Sequence, residues 1–100
     1  MEIQFTEKEK ELFKKAIATW GTPAQLRIMQ EELAECVVAI GHYLRQRELG
    51  YSEMCEEMAD VLVTLSQHYI SSKEDILYHF NKKLKKLERY LKDSQGEKSL

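Results

Sequence analysis

Residues 29–40 read Met29-Gln30-Glu31-Glu32-Leu33-Ala34-Glu35-Cys36-Val37-Val38-Ala39-Ile40, and their spacing decides the fold. Met29, Leu33, Cys36, Val37 and Ile40 recur at three- and four-residue intervals, the period of a helix with one apolar stripe. Glu32 and Glu35 sit three apart, which on a helix puts both carboxylates on one face. A near copy follows at Glu56-Glu57-Met58-Ala59-Asp60, where Glu57 and Asp60 repeat the pair.

Working outward, the same period extends the first block into a helix over about 23–45 carrying Leu26, Met29, Leu33, Cys36, Val37, Ile40 and Leu44. The second block lies in a helix over about 52–70 with the stripe Met54, Cys55, Met58, Val61, Leu62, Leu65 and Tyr69. Before them, Thr6 and Glu9 form a capping box ahead of Leu12, Phe13, Ala16 and Ile17, predicting a helix over about 7–19. Gly21 suits a left-handed residue after that helix, Thr22 a cap with Gln25 completing a second box, and Pro23 the first helical turn. Ser52 is the expected cap of the third helix. Ser72 with Asp75 caps a fourth over about 73–92, with Ile76, Leu77, Phe80, Leu84, Leu87, Tyr90 and Leu91 as its apolar face.

One proline and four glycines in 100 residues, with abundant Ala, Leu, Glu, Lys and Gln, argue for an all-α, four-helix bundle-like protomer. Residues 1–92 form one expected domain and 93–100 a disordered tail. So small a core gains from assembly, so a homo-oligomer is expected. Fifteen basic against 17 acidic residues leave a net charge of −2, with no global field for nucleic acid or an anionic membrane. Cys36 and Cys55 lack C-x-x-C spacing, which points to reduced core residues and a cytoplasmic chain. The N-terminus does not read as a signal peptide, and no apolar run reaches membrane-spanning length.

At about 100° per residue, with Leu33 and Met58 each set at zero, Glu32 and Glu57 fall near −100° and Glu35 and Asp60 near −160°. Glu31 and Glu56 fall near 160°, on the outer side. The strip holding the carboxylates also carries Ile28, Ala39, Val61, Thr64 and His68, less charge than a solvated strip would have. In an antiparallel hairpin the two pairs come level if the turn centres near Gln46 to Tyr51.

Four adjacent carboxylates repel unless one is protonated or a cation joins them. An all-oxygen set suits Mg²⁺, or Mn²⁺, and Mg²⁺ is commonly held by carboxylates together with substrate phosphates. The implied partner is a phosphorylated metabolite. Lys83 and Lys86, with Arg89 a turn further on, lie at successive turns of the fourth helix and are the residues to meet phosphates there. Acidic i, i+3 pairs and lysine-rich helices also occur as plain solvated faces. It is the matched register of two pairs that favours a site.

These residues resemble the MazG-like members of the all-α nucleoside triphosphate pyrophosphohydrolases. The resemblance spans about residues 22–90: Gln25-Leu26 ahead of Glu31-Glu32-x-x-Glu35, then Glu56-Glu57-x-x-Asp60-Val61-Leu62, then Asn81-x-Lys83-Leu84-x-Lys86. It departs from the family pattern at Leu87, where a further basic residue is expected. The resemblance implies hydrolysis of a nucleoside triphosphate, often deoxy or non-standard, to the monophosphate and pyrophosphate with Mg²⁺; phosphoribosyl-ATP is the substrate of a related branch. It implies Glu32, Glu35, Glu57 and Asp60 as metal ligands, with Glu35 as the base, and Asn81, Lys83 and Lys86 as substrate contacts. Assembly as a homodimer or homotetramer is implied as well. The alternative from a different class is a non-catalytic helical oligomer or a nucleotide- or metal-binding module.

Overall fold

The computed structural model describes residues 2–45, 48 and 50–93. It contains four helices, α1 (Glu7–Trp20), α2 (Thr22–Leu44), α3 (Gly50–Ser71) and α4 (Lys73–Lys92), and no strand among the described residues. The chain is all-α, and each helix begins and ends within about two residues of its expected bounds. Among the described residues, no helix is long and apolar enough to cross a membrane. Residues 94–100, most of the expected tail, lie outside the described residues, as do Gln46, Arg47 and Leu49 of the expected turn.

The described residues fall into two compact units, one of Phe5–Ser71 and one of residues 2–4 with 72–93. Within the first, α2 packs most extensively against α3, and α1 rests on both. Thr6 opens α1 through the expected box: Glu9 N–H donates to Thr6 Oγ1 at 3.1 Å and Thr6 N–H to Glu9 Oε1 at 2.7 Å. Hydrogen bonding by Thr6, its backbone N–H first and its side chain second, holds the Glu9 carboxyl below its ordinary range. Phe5 then packs edge-on against Phe13 and Tyr69, with ring centroids 5.4 and 5.9 Å apart. Within the second unit, Ser72 stands at the N-cap of α4 without a capping side-chain bond, and Lys73 pairs with Glu2.

Two further expected caps do not form. A single residue, Gly21, separates α1 from α2, and its φ of 86° with ψ of 151° is a conformation that essentially only glycine adopts. Gly21 is therefore also the N-cap of α2. Thr22 is already helical and makes no capping bond, and Gln25 is buried at 2% exposure. Likewise α3 starts at Gly50, so Ser52 lies inside its first turn.

The apolar stripes depart most from expectation. Leu26, Leu33, Val37 and Leu44 on α2 and Met58, Leu62 and Leu65 on α3 are all exposed, Val37 at 69% and Leu44 at 71%. The buried residues of these helices are mainly polar or small: Gln25 and Ala39 from α2, and Gly50, Thr64, Gln67, His68 and Tyr69 from α3. The hairpin is closed on its carboxylate strip, not on its apolar stripe. Helix periodicity gives the angle between the two faces but not which one meets the partner helix.

Close approach at the turn end of the hairpin depends on Gly50. A Cβ there would lie 3.1 Å from Tyr43 Cα and 3.2 Å from Tyr43 N, backbone atoms of a helix that cannot step aside. At Gly41 a Cβ would meet only the flexible Arg45 guanidinium, at 3.4 to 3.8 Å. Gly50→Ala should therefore cost about 1–3 kcal/mol, lowering the urea midpoint followed by circular dichroism. Gly41→Ala should leave the midpoint unchanged or raise it, by up to about 1 kcal/mol. Equal midpoints for the two variants would contradict the close approach at Gly50.

Candidate metal centre

Each carboxylate owes its position to the helix register. Glu32 and Glu57 stand at the middle of their strips and are half-buried between α2 and α3, while Glu35 and Asp60, further round, are exposed. Glu31 and Glu56, on the outer side by the helical count, are exposed as well. Because α2 ends at Leu44 and α3 begins at Gly50, the pairs sit at similar distances from the two helix ends. Glu32 comes level with Asp60, and Glu35 with Glu57.

One carboxylate oxygen from each of Glu32, Glu35 and Glu57 lies within 4.8 Å of the others. Asp60 stands close enough to Glu32, and Glu35 to Glu57, to act on their titration. Burial pushes the Glu32 carboxyl above its ordinary range, and the charges of Glu35 and Asp60, the hydrogen bond with Asp60 and the charge of Glu31 add to that. Burial does the same to Glu57, followed by the charges of Glu35 and Asp60, the bond with Glu35 and the charge of Glu32. Burial and the neighbouring acids therefore both favour the protonated form of Glu32 and Glu57.

The donor set fits a hard divalent cation. The second oxygens of Glu32 and Glu57, both Oε2, are closed off from solvent without a hydrogen-bond partner. Buried acceptors of this kind ordinarily find a donor or a cation. Glu32, Glu35, Glu57 and Asp60 together offer oxygen alone, the preference of Mg²⁺ or Mn²⁺.

Of the other strip residues, Ala39, Thr64 and His68 are buried in the hairpin, and Thr64 Oγ1 donates back to the carbonyls of Asp60 and Val61 at 3.0 and 3.1 Å. Gln25 Nε2 and His68 Nε2 are buried and unpartnered, level with each other in the register that aligns Glu32 with Asp60. Toward the turn, His42 Nδ1 lies 2.9 Å from both oxygens of Glu53, a bond between α2 and α3. The spacing of the histidines among themselves shows no such pairing. It emerges only when α2 and α3 are read as antiparallel partners, His42 against Glu53. Asn81, Lys83 and Lys86 lie on α4, in the other unit, where the Lys86 ammonium stands over the Tyr90 ring at 5.6 Å.

The raised carboxyls give a stability signature. A carboxyl whose folded pKa exceeds its unfolded one binds more protons when folded, so its contribution weakens as pH rises from the ordinary value of 4.5 through the raised folded value. Metal-free protein should therefore lose thermal stability as pH climbs through that window. Glu32→Gln and Glu57→Gln should each flatten the loss and, near neutral pH without metal, melt above the parent chain. Melting curves in a chelator from pH 4 to 8 measure this, and variants that melt lower at pH 7 would oppose it. The chemistry assigned to the cluster rests on its geometry, because no family model, no curated protein and no solved structure matches the chain.

Proposed function

We propose that the chain is a Mg²⁺-dependent nucleoside triphosphate pyrophosphohydrolase, converting a nucleoside or deoxynucleoside triphosphate and water to the monophosphate and pyrophosphate, with non-canonical nucleotides among its substrates. The observation that carries this is the approach of Glu32, Glu35 and Glu57 within 4.8 Å across α2 and α3. The resemblance of the paired acidic blocks and of Asn81-x-Lys83-x-x-Lys86 to the MazG-like family supplies the substrate class.

Glu32, Glu35, Glu57 and Asp60 would hold the metal. When bound, Mg²⁺ neutralises phosphate charge and polarises the α-phosphorus. Glu35, exposed at the edge of the cluster, takes the proton of the attacking water. The water oxygen bonds to the α-phosphorus as the bridging P–O bond to the β-phosphate breaks, and pyrophosphate leaves with the electron pair. Asn81, Lys83 and Lys86 contact the substrate, the two lysines meeting the charge that grows on the leaving group.

The exposed stripes support assembly. The two blocks hold equivalent angular positions on antiparallel helices, so Leu26, Leu33, Val37 and Leu44 flank the same side of the hairpin as Met58, Leu62 and Leu65. Exposed apolar residues gathered on one side of a hairpin suit an interface, and a second copy of the chain forming a homodimer or homotetramer would cover them. This face alone equally serves a helical oligomer without turnover, or a nucleotide- or metal-binding module. Turnover decides between them.

Incubation with a panel of canonical and modified nucleoside triphosphates should release pyrophosphate with Mg²⁺ and none in chelator. Losing a partner behind a metal ligand costs 10–100-fold in metal affinity or activity, so Glu32→Gln and Asp60→Asn, which alter ligands directly, should lower turnover by about 100-fold or more. Release undiminished in both variants would overturn the site. No release from any nucleotide would favour the non-catalytic alternative. Light scattering should give a multiple of the chain mass, reduced to one chain by Val37→Asp combined with Leu62→Asp.

A further inference from the structure

His42 and Glu53 stand apart from the metal ligands but share their side of the hairpin. With Leu33 and Met58 at zero, His42 falls at about 180° on α2 and Glu53 at about −140° on α3, beside Glu35 and Asp60 near −160°. Glu53 precedes Glu57 by one helical turn, about 6 Å, and His42 follows Glu35 by two, about 10 Å. The pair therefore forms the next layer of side chains on the same faces of α2 and α3 toward the turn.

Its geometry fixes one ring nitrogen and leaves the other. Both Glu53 oxygens lie 2.9 Å from His42 Nδ1, so Nδ1 carries the proton and donates to the carboxylate. The side chain is 22% exposed, and Nε2, on the opposite side of the ring, makes no hydrogen bond among the described residues. A carboxylate holding one imidazole nitrogen orients the other toward a ligand. In the protonated ring Nε2 is a second N–H donor, suited to a phosphate oxygen. Within Phe5–Ser71, the strip that carries Glu32, Glu35, Glu57 and Asp60 holds no lysine or arginine.

We propose that His42, oriented by Glu53, binds the phosphate end of the substrate that becomes pyrophosphate, making the site directional: carboxylates at the α-phosphate, imidazole toward the turn. This rests on the nucleotide assignment of the carboxylate cluster. Glu53 is a positioning residue, acting through His42.

The test is titration of the whole chain with inorganic pyrophosphate and Mg²⁺, followed by calorimetry and by the ¹⁵N resonances of the histidine rings, beside nucleotide turnover by the parent chain. His42 Nε2 should shift on adding pyrophosphate and not on adding Mg²⁺ alone. His42→Ala should weaken pyrophosphate about tenfold or more, with Mg²⁺ affinity unchanged, and Glu53→Gln should weaken it less. An Nε2 resonance that does not respond to pyrophosphate overturns the proposal, and it is read on the parent chain, so misfolding of a variant does not obscure it. Unaltered affinity in a folded His42→Ala overturns it as well. Turnover with an unresponsive His42 removes this inference and leaves the reaction standing. A responsive His42 in a chain that hydrolyses no nucleotide upholds the phosphate contact and removes the reaction.

Discussion

Repulsion among Glu32, Glu35, Glu57 and Asp60 is the constraint around which the hairpin is built. Four acids on the contacting faces of two helices favour separation, yet α2 and α3 form the most extensive pairing in the structure. Contacts at both ends of the seam offset the repulsion. At the turn end Gly50 lets α3 meet the backbone of Tyr43, and His42 bonds Glu53 across the gap. At the open end Phe5, Phe13 and Tyr69 pack edge-to-face and α1 rests on both helices. A cation bound among these carboxylates would offset their repulsion and link the two helices.

The sequence shows this arrangement where one helix suffices to read it. The register of the two blocks, the outward position of Glu31 and Glu56, the continuation of α2 past Gly41 to Leu44 and the Thr6–Glu9 box all follow from spacing along a single helix. The low charge of the strip bearing Ala39, Thr64 and His68 is also a usable sign, since those residues are buried in the seam. What is not legible depends on a partner. Periodicity cannot say whether the stripe of Leu33 and Val37 or the strip of Glu32 and Ala39 meets the neighbouring helix, and the usual preference for apolar contact chooses the wrong face here. Thr22 and Ser52 are good caps by type, but Gly21 makes the whole connection between α1 and α2, and the approach of Gly50 to Tyr43 carries α3 back past Ser52.

A polar seam and an exposed apolar side are two consequences of one choice. Placing carboxylates between α2 and α3 denies the hairpin a hydrophobic core of its own: Ala39 and Tyr69 are the buried hydrophobic residues among those described. The apolar stripes then lie where another surface can take them up. On the proposed reading, site formation inside the hairpin and stability through assembly are coupled in this way, because the residues that would make α2 and α3 self-sufficient are displaced by the carboxylates.

The hairpin also has an internal symmetry whose failures are informative. Adding 25 to a residue number on α2 carries Glu32 onto Glu57 and Glu35 onto Asp60, so the cluster is nearly two-fold symmetric and by itself gives no direction to anything bound across it. The same operation carries Gln25 onto Gly50 and Tyr43 onto His68. At the turn end, therefore, glycine meets backbone, while at the open end Gln25 and His68 fill the equivalent space with buried, unpartnered nitrogens. It also carries His42 onto Gln67 and Ile28 onto Glu53, so the imidazole–carboxylate pair exists at one end only. A ligand with two unlike ends, such as a nucleoside triphosphate, needs a polarity that four equivalent acids cannot supply. Under the proposed function, that polarity would come from the residues of this hairpin that break the repeat.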